Sequence, residues 1–444
     1  MLRGGGRLGS GSGSWLHLPR EGEALGRLRP LLLLLGLPTL GLAFGISVIT
    51  TYGPVVLFHL ARSGTKVGVL IGSEGAFALA IPILVGRVSD RLPPSRLGRR
   101  MPFVIAGAPF LVVGLVLLPF SSSYLEASLI LFAFFLGYFL YYPPYRTLYA
   151  DLFPRSAYAR IQSSQAIARG LGLGSALLAG GLLLAVWQPL PFVIGAVVIA
   201  VTTVALVPVI RLEADKPLDD QPRQSSSLWR LLRCNGRLRA FAVANGLWEF
   251  SFTGMRSFIV LYVIKGLSES AAVASLVIAV VAVAAVLAAP VAGRLAGRYG
   301  IVPVMRLSIV ICGGGLVLGV FADSLTPILI GLPVVALAGA TAMTLPQALA
   351  FTLADDADLG AAAGLQDFSR GIGVVLGPIV VGVAIDLFRG PFPATHGYAA
   401  MWPAVGIPIL ASLLLLGPMT QNDQPNPDAT STESPAIPTG TQTG

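Results

Sequence analysis

Gln165-Ala-Ile-Ala-Arg169-Gly170-Leu-Gly172 and Gln366-Asp-Phe-Ser-Arg370-Gly371-Ile-Gly373 share one pattern, 201 residues apart. Both stretches lie inside long apolar runs. An ionised side chain there costs a few kcal/mol or more unless it is paired or hydrated. An arginine repeated at the same place in two apolar segments points to two related halves around a pseudo-symmetry axis.

Composition sets the medium. The chain has 444 residues, of which 55% are hydrophobic and 11% charged. A soluble domain carries about 25% charged residues. Apolar stretches of some twenty residues recur from Leu31 to Met419, each long enough for a hydrocarbon core of about 30 Å. A transmembrane β-barrel is excluded, because its strands alternate in polarity over about ten residues. The pattern predicts an all-α polytopic membrane protein. Twelve spans are expected at 31–58, 67–89, 102–120, 125–147, 162–187, 190–210, 240–264, 271–292, 302–321, 327–352, 360–388 and 398–418.

Charge gives an orientation. Of the 30 Lys and Arg, 22 fall in the N-terminal tail and in the loops and helix ends that follow spans 2, 4, 6 and 8. The opposite loops hold four: Arg62, Lys66, Lys265 and Arg389. Positive-inside asymmetry then predicts a multi-pass protein of the cell membrane with both termini in the cytoplasm. The net charge of +9 is thereby topological, and no nucleic-acid partner is expected. Five regions follow: a cytoplasmic tail at 1–30, a six-helix half at 31–210, a cytoplasmic linker at 211–239, a second six-helix half at 240–418, and a disordered cytoplasmic tail at 419–444. The linker carries Pro217, Pro222 and a serine run, and Leu228–Arg233 reads as a short amphipathic surface helix.

Two further landmarks support duplication. Gly86-Arg-Val-Ser-Asp90-Arg91 follows span 2, and Gly293-Arg-Leu-Ala-Gly297-Arg298 follows span 8. Ala150-Asp151 ends span 4, and Ala354-Asp355 ends span 10. With the arginine pair, three landmarks share offsets of 201 to 207 residues, as a repeated six-helix unit requires.

The first loop continues through Arg96-Leu-Gly98-Arg99-Arg100-Met-Pro102-Phe103. This run resembles the loop between the second and third helices of major facilitator superfamily transporters. The resemblance implies the major facilitator fold, with twelve transmembrane helices in two pseudo-symmetric six-helix halves. It also implies a cytoplasmic gate built from Gly86, Asp90, Arg91, Gly98, Arg99 and Arg100, to which Asp151 and Asp367 are added by position. The alternative for the arginines is a simple positive-inside anchor.

A narrower resemblance covers spans 1 to 5. The Ser89-Asp90-Arg91 to Val104 run and Pro143-Pro-Tyr-Arg146-Thr-Leu-Tyr-Ala150-Asp151-Leu152 look like the sucrose–proton symporter and glycoside–cation symporter branch. That branch implicates its matching arginine in sugar binding, which nominates Arg146. The branch also carries an acidic residue about three turns earlier, where this chain has Ala133-Phe-Phe-Leu136.

Among the other ionisable residues inside spans, Glu74, Arg169, Glu249, Arg256, Asp367 and Arg370 stand out. Arg146, Arg169, Arg256 and Arg370 are candidate substrate ligands, with Gln165, Gln366, Trp248 and Tyr145 as amide and aromatic partners. Tyr52, Tyr138, Tyr141 and Tyr142 are further aromatic candidates. Glu74 and Glu249 are candidate proton carriers. For each charge the alternative is a permanent ion pair between helices. Glu249 and Arg256 are seven residues apart, two turns along one face, so each needs another partner.

The expected function is secondary active transport of a small molecule by alternating access, as proton-coupled uptake of a sugar or glycoside. One alternative is proton-driven export of drug-like compounds or metabolites. Another, of a different class, is a non-transporting membrane sensor. The chain lacks GxxxxGK[ST], HExxH, GxSxG and any cysteine metal pattern, so ATP-driven transport and enzyme activity are not expected. No cofactor is expected. The partners are the substrate, the coupling proton and the lipid bilayer, and a monomer is expected.

Overall fold

The computed structural model describes residues 29–91, 100–152, 158–209, 233, 235–354 and 358–420. The two tails, most of the linker and its amphipathic helix lie outside the described residues.

Without water, backbone groups must be satisfied within the segment, so lipid-exposed apolar runs become helices. The helices are α1 (Arg29–Ala61), α2 (Gly64–Arg91), α3 (Met101–Leu117), α4 (Tyr124–Leu152), α5 (Tyr158–Val186), α6 (Leu190–Val204), α7 (Gly236–Leu261), α8 (Ala271–Tyr299), α9 (Ile301–Leu318), α10 (Leu325–Thr344), α11 (Leu359–Leu387) and α12 (Met401–Ala411). Twelve helices among the described residues are long and apolar enough to cross a membrane. The tenth span is interrupted: α10 stops at Thr344, and a short helix restarts at Pro346–Thr352. Pro346 lacks the N–H that would continue the ladder and instead sits at a helix start.

Neighbours repeat with a shift of six helices. In the first half α1 packs on α5 and α6, α3 on α4 and α6, and α2 on α4. In the second, α7 packs on α11 and α12, α9 on α10 and α12, and α8 on α10. The halves meet along α2–α11, α5–α8 and α1–α7, and the same shift exchanges the first two of these pairs. The fold is the pseudo-symmetric twelve-helix arrangement that the repeated motif demanded. Large apolar side chains such as Val186, Val286, Ile330 and Leu414 stay exposed on the outside.

The two ends of the bundle differ. An even number of crossings puts both termini at one face. At the opposite face α2 and α11 touch backbone to backbone. A methyl built on Gly64 would come within 2.8 Å of the Gly382 carbonyl, and one on Gly72 within 2.6 Å of the Val375 carbonyl. Gly68 sits as tightly on Pro378, and Gly181 of α5 on Ser275 and Ala271 of α8. Toward the termini, a methyl on Gly86, Gly170, Gly293, Gly297 or Gly360 would meet nothing within 4 Å. The halves are therefore sealed at the face away from the termini, while the helices near the termini leave open space.

Candidate functional site

Near the middle of the bundle the intramembrane charges meet. Glu74 projects from α2 and is buried. Its Oε2 lies 3.6 Å from the Arg256 guanidinium on α7, so this pair bridges the halves. The fit is loose: Glu74 Oε2 and Arg256 Nε are buried without a hydrogen-bond partner. Glu249, two turns before Arg256 on α7, lies 3.4 Å from Arg370 of α11. The seven-residue spacing thus works as expected, each member finding a partner on another helix. Arg370 also lies in the field of Glu74, Asp367 and Tyr142, so the two pairs form one cluster.

The first half contributes a different group. Arg169 of α5 donates to the Tyr142 hydroxyl at 2.5 Å, and its guanidinium sits 5.8 Å from that ring's centre. Tyr142 stacks on Tyr138, one turn earlier on α4, with ring centres 5.5 Å apart and planes 19° apart. Tyr138 in turn lies within electrostatic reach of Glu74, Arg169 and Arg370. Arg146 is exposed one turn beyond Tyr142 and continues the same stripe toward the termini. The arrangement is a two-ring platform from one half facing a charge cluster held mainly by the other. Arg169 and Arg370 are both exposed, and the Arg370 side chain keeps 55% of its accessible surface.

Other expected residues are placed elsewhere. Trp248 is 1% exposed, and its ring N–H donates to Ser412 Oγ at 2.8 Å, tying α7 to α12. Tyr145 is also buried, its hydroxyl donating to the Leu35 carbonyl and shared with Thr39 of α1. Both rings are helix-to-helix ties in this conformation, because their polar atoms are satisfied inside one half. Gln165 is buried, and the backbone carbonyl of Gln366 accepts from Asn245 of α7. Asp367 is exposed beside the Arg370 cluster. Of the expected gate, Gly86 borders open space and Arg100 precedes α3. Gly98, Arg99 and the side chains of Asp90, Arg91 and Asp151 lie outside the described residues.

Sequence reasoning ranked Tyr142 below Tyr145, although only Tyr142 meets the site. The signal was the spacing Tyr138, Tyr142, Arg146, which puts all three on one helix face. Asp386 was missed altogether. It accepts hydrogen bonds from Ser63 Oγ and the backbone N–H groups of Gly64 and Thr65 at the sealed face. No group of His, Cys, Asp and Glu among the described residues could hold a metal ion.

A pseudo-symmetric pair of six-helix halves, sealed at one end around a central polar cluster, defines an alternating-access membrane transporter. The chain belongs to the Major Facilitator Superfamily, whose sequence profile matches residues 35–272 and again 250–441. Its fold is similar to the nucleoside transporter NupG, with a TM-score of 0.74, 18% identity, and coverage of 88% of this chain and 99% of that one. It is also similar to a bacterial homologue of the human lysosomal transporter Spinster in an inward-facing, occupied conformation. There the TM-score is 0.68 at 17% identity, covering 90% of this chain and 96% of that one. No curated protein matches the sequence.

Proposed function

We propose that this transporter takes up a neutral, polyhydroxylated solute, a sugar or glycoside, together with a proton. The observation that carries the reading is the charge balance of the central cluster. Glu74 pairs with Arg256 and Glu249 with Arg370, and Arg169 and Asp367 lie beside these pairs, three cations and three carboxylates in the cluster itself, with Arg146 one turn further toward the termini. A balanced set presents donors and acceptors in abundance without a net field for an ion. The flat Tyr138–Tyr142 platform adds a surface on which a sugar ring can stack. A second reading keeps the same chemistry with a nucleoside, whose base would lie on the platform. The fold similarity to NupG favours including it in any test.

The basic loops orient the termini to the cytoplasm. The open end is then cytoplasmic, and the conformation is inward-facing. Glu74 is the proton carrier in this scheme. As a carboxylate it draws Arg256 across the interface between halves. A proton neutralises it and frees Arg256, so proton occupancy is linked to how the halves sit. Glu249 holds Arg370 in place beside the substrate.

Purified protein in proteoliposomes, with an imposed inward proton gradient, tests the reading. Accumulation of a labelled disaccharide that collapses with a protonophore supports it. Accumulation of a labelled nucleoside alone would move the substrate to the second reading. Extrusion of a cationic dye with no sugar or nucleoside uptake would replace both with drug export. No flux of any of these would favour the sensor.

A further inference from the structure

At the sealed face, α2 begins with Ser63-Gly64-Thr65 and α11 ends near Asp386. The two elements belong to different halves. Asp386 nevertheless sits on the start of α2 as a capping residue would. Its carboxylate accepts from Ser63 Oγ at 2.6 Å, Gly64 N at 2.9 Å, and Thr65 N and Thr65 Oγ1 at 2.8 Å. Negative charge at a helix start is favoured by the exposed N–H groups and the helix dipole. The contact is possible because Gly64 and Gly382 bring the two backbones together immediately beneath it.

Each side of this contact also has a local partner. The first turn of α2 has its own cap, since Ser63 Oγ accepts from Lys66 N at 3.3 Å. Asp386 has its own counter-ion, since Arg389 of the same half donates to it at 2.7 Å. Separation of the halves at this face would leave Asp386 on Arg389 and hand the freed Gly64 and Thr65 donors to water at an opened, solvated face. A contact that is strong when made and leaves no orphan when broken suits a reversible catch. Arg389 adds a weaker strap across the same seam, donating to the Arg62 carbonyl at 3.3 Å.

We infer that Asp386 is a positioning residue for the transport cycle, a catch that closes the face opposite the termini by capping the other half's α2. It touches no substrate and acts through α2. Its removal shifts the balance toward the state open at that face. Charge-assisted hydrogen bonds made in one state only make that shift about tenfold.

The test compares two single-cysteine reporters, each in a chain with Cys234 and Cys312 replaced, purified into nanodiscs and labelled with a small maleimide. Ser275→Cys reports the seam at the sealed face, where Ser275 is buried against Gly181. Gly170→Cys reports the open side, where a side chain has free space. Asp386→Ala and the near-isosteric Asp386→Asn are expected to speed labelling of the first about tenfold and to slow labelling of the second. Thr65→Val, which removes one of the four bonds, is expected to give a smaller shift in the same directions. Rates that rise together at both reporters would mean a loosened fold and would overturn the catch. Unchanged rates in both Asp386 variants would overturn it as well. Because the readout is accessibility, it stands whether or not the substrate reading survives.

Discussion

The two copies of the Gln-x-x-x-Arg-Gly-x-Gly motif keep the same scaffolding and have exchanged their chemistry. The last glycine does the same job in each. A methyl on Gly172 would strike the Leu40 carbonyl of α1, and one on Gly373 would come within 2.5 Å of the Gly246 carbonyl of α7. Each glycine lets one helix lie directly on its partner, α5 on α1 and α11 on α7. The arginines part company. Arg370 pairs with a carboxylate of its own half, whereas Arg169 rests on a tyrosine. Even the glycine beside each differs, Gly170 facing open space and Gly371 lying against Leu79. Backbone packing has preserved the symmetry of the repeat, and the charged side chains of the central cluster have not.

The largest expected effect comes from the charged partner. Arg370→Ala removes the counter-ion of Glu249 and leaves a largely buried carboxylate without its partner, so transport should fall at least ~100-fold. Adding Glu249→Gln in the same chain removes the orphan charge. It should recover expression and melting temperature, while transport stays low if Arg370 also meets the solute. Full recovery of transport in the double variant would reduce the pair to a structural brace. Next come the packing glycines. Gly172→Val and Gly373→Val should each destabilise by several kcal/mol through overpacking against backbone, lowering the melting temperature in parallel. Unequal losses would show that the scaffolding has diverged too.

The sequence made much of this legible, for a physical reason. Burial in lipid makes polar groups conspicuous, so twelve apolar runs and a few intramembrane charges stand out without any knowledge of contacts. The seven-residue interval between Glu249 and Arg256 even required separate partners, and Arg370 and Glu74 supply them. What stayed hidden depends on rotation about helix axes. Tyr142 and Tyr145 lie three residues apart, yet one meets Arg169 and the other ties α4 to α1. Asp386 went unnoticed, because nothing in a local window shows that the start of α2 lies across from it.

Of smaller expected size is the effect of Glu74→Gln. The substitution fixes a neutral side chain opposite Arg256 and mimics the protonated state. Counterflow should continue, while accumulation against a gradient is lost and the pH dependence of flux flattens. A pH profile identical to the parent would remove Glu74 as the proton carrier and leave its ion pair with Arg256 as a brace between halves.

Arg169→Lys should give the mildest change and sharpens the comparison most. A lysine keeps the charge but loses the planar fork that reaches the Tyr142 hydroxyl while lying near its ring. If Arg169 serves the solute through the tyrosine platform, the apparent KM should rise about tenfold with the maximal rate little changed, the mark of lost uniform binding. The same substitution at Arg370 breaks the pairing geometry of a charge cluster and should lower the maximal rate instead. A repeat whose two arginines failed in the same way would still be a symmetric gate. Failure in two different kinetic parameters would mean that one copy holds the solute while the other holds the machinery that moves it.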